Sequence, residues 1–184
     1  GADKVYALIL PERDSSDDSA ARARILAEHL GVRTQTHDIE PALAAIGCYE
    51  QRDAAVRRVL PGYGPGWRFK IVIAGGRDGG INYFRLVAKS PDGTDHDVPL
   101  PLAEYLAIVA ATNFKQRIRK NLEYFHADRL NYAVTGTPNR LEYDQGFFVK
   151  NGDGAADLKP IAHLYKTQVY ALARHLGVPA EICE

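Results

Sequence analysis

The sequence predicts an α/β fold, on two observations: apolar runs short enough for buried strands alternate with longer stretches of helical period, and turn residues mark the joints. Val5-Tyr6-Ala7-Leu8-Ile9-Leu10 is apolar throughout and stops at Pro11, the pattern of a strand buried on both faces in a parallel sheet. A polar loop over residues 12–18 follows, where Ser15, Ser16 or Asp17 is placed to cap the next helix. That helix carries Ala20, Ala23, Ala27 and Leu30, with Ile25 and Leu26 on neighbouring faces, and Gly31 ends it. Val32 to Ile39 reads as a second strand. The three elements form one βαβ unit of about 35 residues, which implies a right-handed crossover.

Pro41 to Leu60 reads as one helix, with Ala42, Leu43, Ala45 and Ile46 and then Ala54, Ala55, Val56 and Val59 as its apolar positions. Pro61-Gly62-Tyr63-Gly64-Pro65-Gly66 cannot be regular structure. Residues 61–101 read as an excursion from the main fold, a β-hairpin of Phe69–Ile73 and Tyr83–Lys89 around the run Gly75 to Gly80. Helical period resumes over Leu102–Ala111 and again over Asn113–Ala127. Leu130-Asn131-Tyr132-Ala133-Val134-Thr135 is a third candidate sheet strand. A long glycine-punctuated connection follows, and a final helix over Tyr165–Leu176 closes at Gly177-Val178-Pro179.

The 184 residues are 46% hydrophobic and 25% charged, the proportions of a globular domain. The 23 basic and 23 acidic residues cancel, which argues against a bulk electrostatic partner for nucleic acid or an anionic membrane. No apolar run approaches the roughly 20 residues of a membrane-spanning helix. Gly1-Ala2-Asp3-Lys4 leads straight into a strand pattern, unlike a signal peptide. Two cysteines, Cys48 and Cys183, lie far apart and form no metal-binding pair, so a reduced, cytoplasmic protein is expected.

Ligands of open α/β sheets bind beyond the carboxyl ends of the strands. Two loops qualify, one after Leu10 and one after Thr135. The second is richer in chemistry. Glycines at 136, 146, 152 and 154 permit close backbone approach to a ligand. Glu142, Asp153 and Asp157 offer hard oxygens suited to Mg²⁺, and Lys150 and Lys166 offer point charges suited to phosphate. A solvated surface loop with glycine turns would read the same way. Lys115, Arg117, Arg119 and Lys120 form a basic run on a helix, read as an exposed basic face with Arg117 the exception. Phe147-Phe148 reads as a core or dimer-interface pair, and His126, His163 and His175 as structural.

Gly136-Thr137-x4-Glu142, then Gly146-Phe147-Phe148-x-Lys150-x-Gly152-Asp153-Gly154-Ala155-Ala156-Asp157, then Leu164-Tyr165-Lys166-Thr167-Gln168-Val169-Tyr170, closely resembles the NAD synthetase family. Asn113-Phe114-Lys115-Gln116-Arg117-Ile118-Arg119 looks like that family's upstream helix, and Leu10-Pro11 with its Ser/Asp-rich loop resembles the segment after its second strand. The likeness is dense over 112–179, looser over 5–39 and thin over 48–101. It implies a Rossmann-like fold of the PP-loop ATP pyrophosphatase type, a mostly parallel sheet flanked by helices. It implies one domain over 1–184, interrupted at 61–101 and incomplete at both ends. The family's Ser-Gly-Gly-x-Asp-Ser phosphate loop would precede residue 1, and a segment covering the ATP site would follow residue 184.

The activity implied is adenylylation of deamido-NAD by Mg-ATP, then amidation by ammonia to give NAD, AMP and pyrophosphate, in a homodimer. The resemblance places Thr137 and Lys166 at ATP, with Arg13, Ser15 and Ser16 where a loop approaches it. It makes Glu142 the Mg²⁺ ligand and sets Arg117, Lys150 and Asp157 against deamido-NAD, with Lys166 and Lys150 as the catalytic cations. Two other readings compete. One is an adenylating PP-loop enzyme acting on tRNA, against which zero net charge argues. The other is a non-catalytic domain that keeps the shape of a nucleotide site and serves dimerisation or binding.

Overall fold

The computed structural model describes residues 1–75 and 82–183; all of the Gly75–Gly80 run but Gly75 lies outside the described residues. The chain divides into two compact units, one of Gly1–Ala42 with Lys115–Glu184 and one of Leu43–Phe114.

In the first unit, β1 (Tyr6–Ile9) pairs in parallel with β2 (Arg33–Thr36), Tyr6 opposite Arg33 and Ile9 opposite Thr36. Between them runs α1 (Asp17–Leu30). Ser16 takes the N-cap position with extended backbone, but its Oγ lies 2.6 Å from Ser19 Oγ and caps no amide. At the other end Gly31 turns left-handed and Val32 N–H returns to Ala27 O, the helix stop that glycine predicts. The second strand is shorter than Val32–Ile39. Asp38 Oδ1 accepts from Glu40 N at 2.9 Å and turns the chain into α2 (Glu40–Ala45). Ile9, Ala27, Ile39, Ala127 and Val134 are among the buried apolar residues described in this unit.

Leu130–Thr135 is not a strand. Its one ladder contact is an isolated parallel bridge from Thr135 to Leu158. The reason is local: Asp157 Oδ2 takes the Val134 N–H at 2.7 Å, and Val134 O accepts from Asp157 N and Leu158 N. One edge of this segment is taken by the chain's own return, through Val134 and Gly136. Beyond this segment lie α5 (Arg140–Asp144), α6 (Lys166–His175) and α7 (Ala180–Cys183), a short helix after Pro179.

In the second unit the single helix expected over Pro41–Leu60 is broken. Gly47 has φ +75°, outside helical space, and α3 (Cys48–Val59) starts afresh from it. The excursion holds three strands rather than a hairpin: β3 (Arg68–Ala74), β4 (Tyr83–Lys89) and β5 (Asp95–Pro99), antiparallel in that order. Ile71 faces Leu86, which faces Val98. Ala55, Val56, Leu60, Tyr63, Leu86, Ala88, Leu100 and Ile108 form the buried cluster. In the β4–β5 turn, the Ser90 hydroxyl and the Thr94 amide donate to Asp92 and hold its carboxyl down to about 2.

The two helices expected over 102–127 are one, α4 (Leu102–Leu130). Thr112 and Asn113 sit inside it, and Thr112 Oγ1 donates to Ile108 O one turn back at 2.8 Å. Cys48 and Cys183 are both free thiols. Among the described residues no helix is long and apolar enough to cross a membrane.

Candidate active site

The loop leaving the carboxyl end of β1 is held from several directions. Lys115, expected on an exposed basic face, is instead buried. Its ammonium lies 3.2 Å from a Glu12 carboxylate oxygen and pairs with Asp14. Arg119, one turn further along α4, reaches Leu10 O at 3.5 Å. Lys120 is also buried and pairs with Glu123 at 2.5 Å. The exposed-face expectation fails for Lys115 because its acidic partners lie about a hundred residues earlier in the chain, which helical period cannot reveal, while Lys120 is buried beside Glu123 of its own helix. Within the loop, Ser15 Oγ accepts from Glu12 N at 3.0 Å, and exposed Arg13 pairs with Glu40 at 3.0 Å.

The segment after Thr135 has little regular structure, so its backbone amides need other acceptors. Acidic side chains supply them. Glu142 Oε2 accepts from Asn139 N at 2.8 Å while Asn139 Oδ1 accepts from Leu141 N and Glu142 N, a reciprocal cap on α5. Asp153 Oδ1 accepts from Val149 N at 2.8 Å. Asp157 holds Val134 N and also accepts from the Tyr124 hydroxyl at 3.3 Å. Burial, then the Asp157 charge, raise the Tyr124 phenol above its usual range. The three carboxylates read as metal donors thus each brace the backbone, and no cluster of three or more metal-binding side chains occurs among the described residues.

The glycines of this segment also serve the protein itself. A Cβ on Gly152 would stand 2.8 Å from Gln116 Cβ, and one on Gly154 would overlap the Phe148 ring. Phe147 is not in the core, being 79% exposed in the single chain.

Some of the expected site residues come together. Arg117 Nε donates to Lys150 O at 3.2 Å, joining α4 to the Lys150 loop. Arg140 N donates to Leu164 O at 2.8 Å, and the Arg140 guanidinium lies over the Tyr165 ring. These contacts set the starts of α5 and α6 side by side, with Glu142 in the first turn of one and Lys166 the first residue of the other. Lys166 is exposed, its Nζ 6.0 Å from the Tyr170 ring centroid. A cleft of about 550 Å³ between β1 and residues 132–137 is lined by Thr137 and Asp153, but not by Glu142, Lys150 or Lys166. Arg13, Ser15 and Ser16 do not line it either.

Sequence reasoning missed the Asn139 cap, the Lys115 cluster and a histidine pair. The cap had a signature, Asn139-x-x-Glu142 before a short helix. The pair had none: His37 Nε2 and buried His126 Nε2 lie 2.9 Å apart, and Arg129 Nη2 lies 3.1 Å from His126 Nδ1. Arginine only donates, so His126 Nδ1 accepts and its Nε2–H donates to His37.

The family profile described as NAD synthase matches residues 1–59 and 101–184. The chain belongs to the NAD synthase family. The stretch left unmatched, 60–100, contains all three strands of the antiparallel sheet. The NH(3)-dependent NAD(+) synthetase of Rhizobium meliloti is 60% identical over 183 residues, covering 99% of this chain and 55% of that protein. The protein of the same name in Thermotoga maritima is 40% identical over 189 residues, covering 99% of this chain and 60% of that one. Among solved structures, the NMN synthetase of Francisella tularensis superposes with TM-score 0.63 at 26% identity, over 97% of this chain and 53% of its own. The NH3-dependent NAD synthetase of Campylobacter jejuni, determined with nitrate ion, gives 0.61 at 23%, over 97% and 55%, a likeness of fold. The α/β, Rossmann-like assignment of this NAD synthase family chain therefore stands. The chain spans about half the length of the curated relatives it matches.

Proposed function

We propose that this chain is part of an ammonia-using NAD synthetase, a ligase in which ATP activates the nicotinate carboxylate of deamido-NAD and ammonia converts it to the amide. One observation carries the reading: the Arg140–Leu164 backbone bond sets Glu142 and Lys166 on adjoining helix starts, within the stretch whose motifs are densest. The names of the relatives support the choice of substrate.

The chemistry suits these groups. A carboxylate is a poor electrophile, so its oxygen attacks the α-phosphorus of ATP and pyrophosphate leaves. Ammonia then adds to the activated carbonyl carbon, and AMP leaves with the carbon–oxygen bond electrons. Lys166, exposed at a helix start, offsets charge on the departing phosphates, where the amide dipoles also favour anions. Thr137 offers a hydroxyl to the nucleotide, and Arg13, Ser15 and Ser16 approach it from the loop after β1. Arg117 and Lys150 grip deamido-NAD from one side, since they already touch each other. Asp157 serves that substrate while bracing Val134.

Magnesium fits Glu142. The donor is a hard oxygen, the residue is half-buried, and one amide uses only part of a carboxylate's acceptor capacity. When bound, Mg²⁺ would offset phosphate charge. We place the enzyme in the cytoplasm as a homodimer, without membrane or nucleic-acid partners. Light scattering of the intact protein checks the dimer.

The test is Glu142→Gln in the intact protein that carries this sequence. The amide oxygen can still cap Asn139 N, so melting should fall by no more than about 2–4 °C, while loss of the charge should cut turnover by about 10²–10³-fold. Wild-type turnover by that variant removes the site assignment. Failure of the unsubstituted protein to release pyrophosphate and form NAD from ATP, deamido-NAD and ammonia removes the function.

A further inference from the structure

We infer that Lys115 is a positioning residue for the nucleotide, fixing the loop after β1 and neutralising the two carboxylates that flank Arg13. The inference rests on the reading above that this loop faces ATP, and it adds a residue and a mechanism to it.

Glu12 and Asp14 stand on either side of Arg13 in sequence, and both carry their charge to the same ammonium. The Lys115 side chain is 11% exposed and that of Glu12 is 5% exposed. Glu12 also accepts from Asp14 N at 3.1 Å, and its own amide is held by Ser15 Oγ, so Glu12, Asp14 and Ser15 share one hydrogen-bonded turn. Arg13 is engaged elsewhere, with Glu40 at 3.0 Å. Lys115 thus grips the residues before and after Arg13, while Arg13 takes a different partner.

The electrostatics give this anchoring a purpose. A loop at the carboxyl end of a parallel strand is the expected place for a polyanionic ligand. Two unscreened carboxylates beside Arg13 would repel a triphosphate, and in partly buried surroundings that repulsion is weakly damped. Buried ion pairs are poor sources of net stability, because desolvation offsets the attraction, but they do fix geometry. A lysine spent in this way is better explained by what the loop must present than by the folding energy it returns.

The test compares Lys115→Met, Lys115→Arg and Asp14→Asn in the intact protein. Lys115→Met should raise KM for ATP by about tenfold to a hundredfold while KM for deamido-NAD stays within about twofold, because the misplaced loop faces one substrate. Lys115→Arg, which keeps a cation for both carboxylates, should recover most of the loss. Asp14→Asn removes one anchoring contact at a more exposed position but also one carboxylate that would repel the nucleotide, so it should change KM for ATP, in either direction, while KM for deamido-NAD stays within about twofold. That variant decides the matter if Lys115→Met does not fold. Equal rises in both KM values, a fall in kcat alone, or no change would each overturn the inference. If the unsubstituted protein shows no turnover, the proposed reaction fails by itself. Calorimetric titration of ATP into the unsubstituted and Lys115→Met proteins then decides the inference, with weaker binding expected and equal binding fatal.

Discussion

Asp157 illustrates how one side chain is committed twice. Its Oδ2 satisfies the amide of buried Val134, and its Oδ1 meets Tyr124. Replacing it by alanine leaves an amide without its acceptor, which costs about 1–3 kcal/mol. Denaturant titration of Asp157→Ala should show that loss. Asp157→Asn, which keeps one oxygen, should lose less. The residue's local work was not legible in the sequence, where an exposed aspartate among glycines reads equally as ligand, cap or solvated charge. Glu142 was legible in principle, because Asn139-x-x-Glu142 is a cap signature with a fixed spacing. Lys115 was not, since its partners lie 103 and 101 residues away and no local pattern encodes a Coulomb contact.

Among the elements, two boundaries set by local chemistry matched expectation. β1 ends before its proline and α1 ends at its left-handed glycine. Elements that depend on neighbours did not. Leu130–Thr135 has strand composition, but only Val134 bonds to residues 157 and 158 and the ladder stops at one bridge. β5 carries only Val98 and Pro99 as apolar residues, and it exists because β4 offers an edge. α4 shows no continuous apolar stripe, because its first half buries Ile108 and Ala111 and its second half buries Lys115, Lys120 and His126. The break between α2 and α3 hangs on Gly47. Gly47→Ala forces a side chain into left-handed backbone at a cost of about 1–2 kcal/mol, with Gln51 Nε2 3.1 Å from the new methyl. A lowered melting temperature with unchanged helical circular dichroism at low temperature is the expected result.

For the protein as a whole, the histidine pair predicts an acid limit to stability. Burial first, then the Arg129 and His37 charges, hold His126 below its ordinary value of 6.5. The folded chain therefore favours the neutral ring, while the unfolded chain binds a proton near pH 6.5. The resulting stabilisation is complete above that value and declines as pH falls through the interval down to the folded pKa. Unfolding free energy measured from about pH 7.5 to about 5.5 should fall, and His126→Gln should flatten the slope. A slope unchanged by the substitution would assign the acid sensitivity to other groups.

The braces on Asn139, Val149 and Val134 have a further consequence. The stretch from 134 to 157 draws part of its shape from amide hydrogens donated to its own acids. Treatment with a chelator such as EDTA should therefore lower the thermal midpoint by no more than the loss of ion binding itself accounts for, even where it stops the reaction. In this segment rigidity and metal dependence would be separable properties.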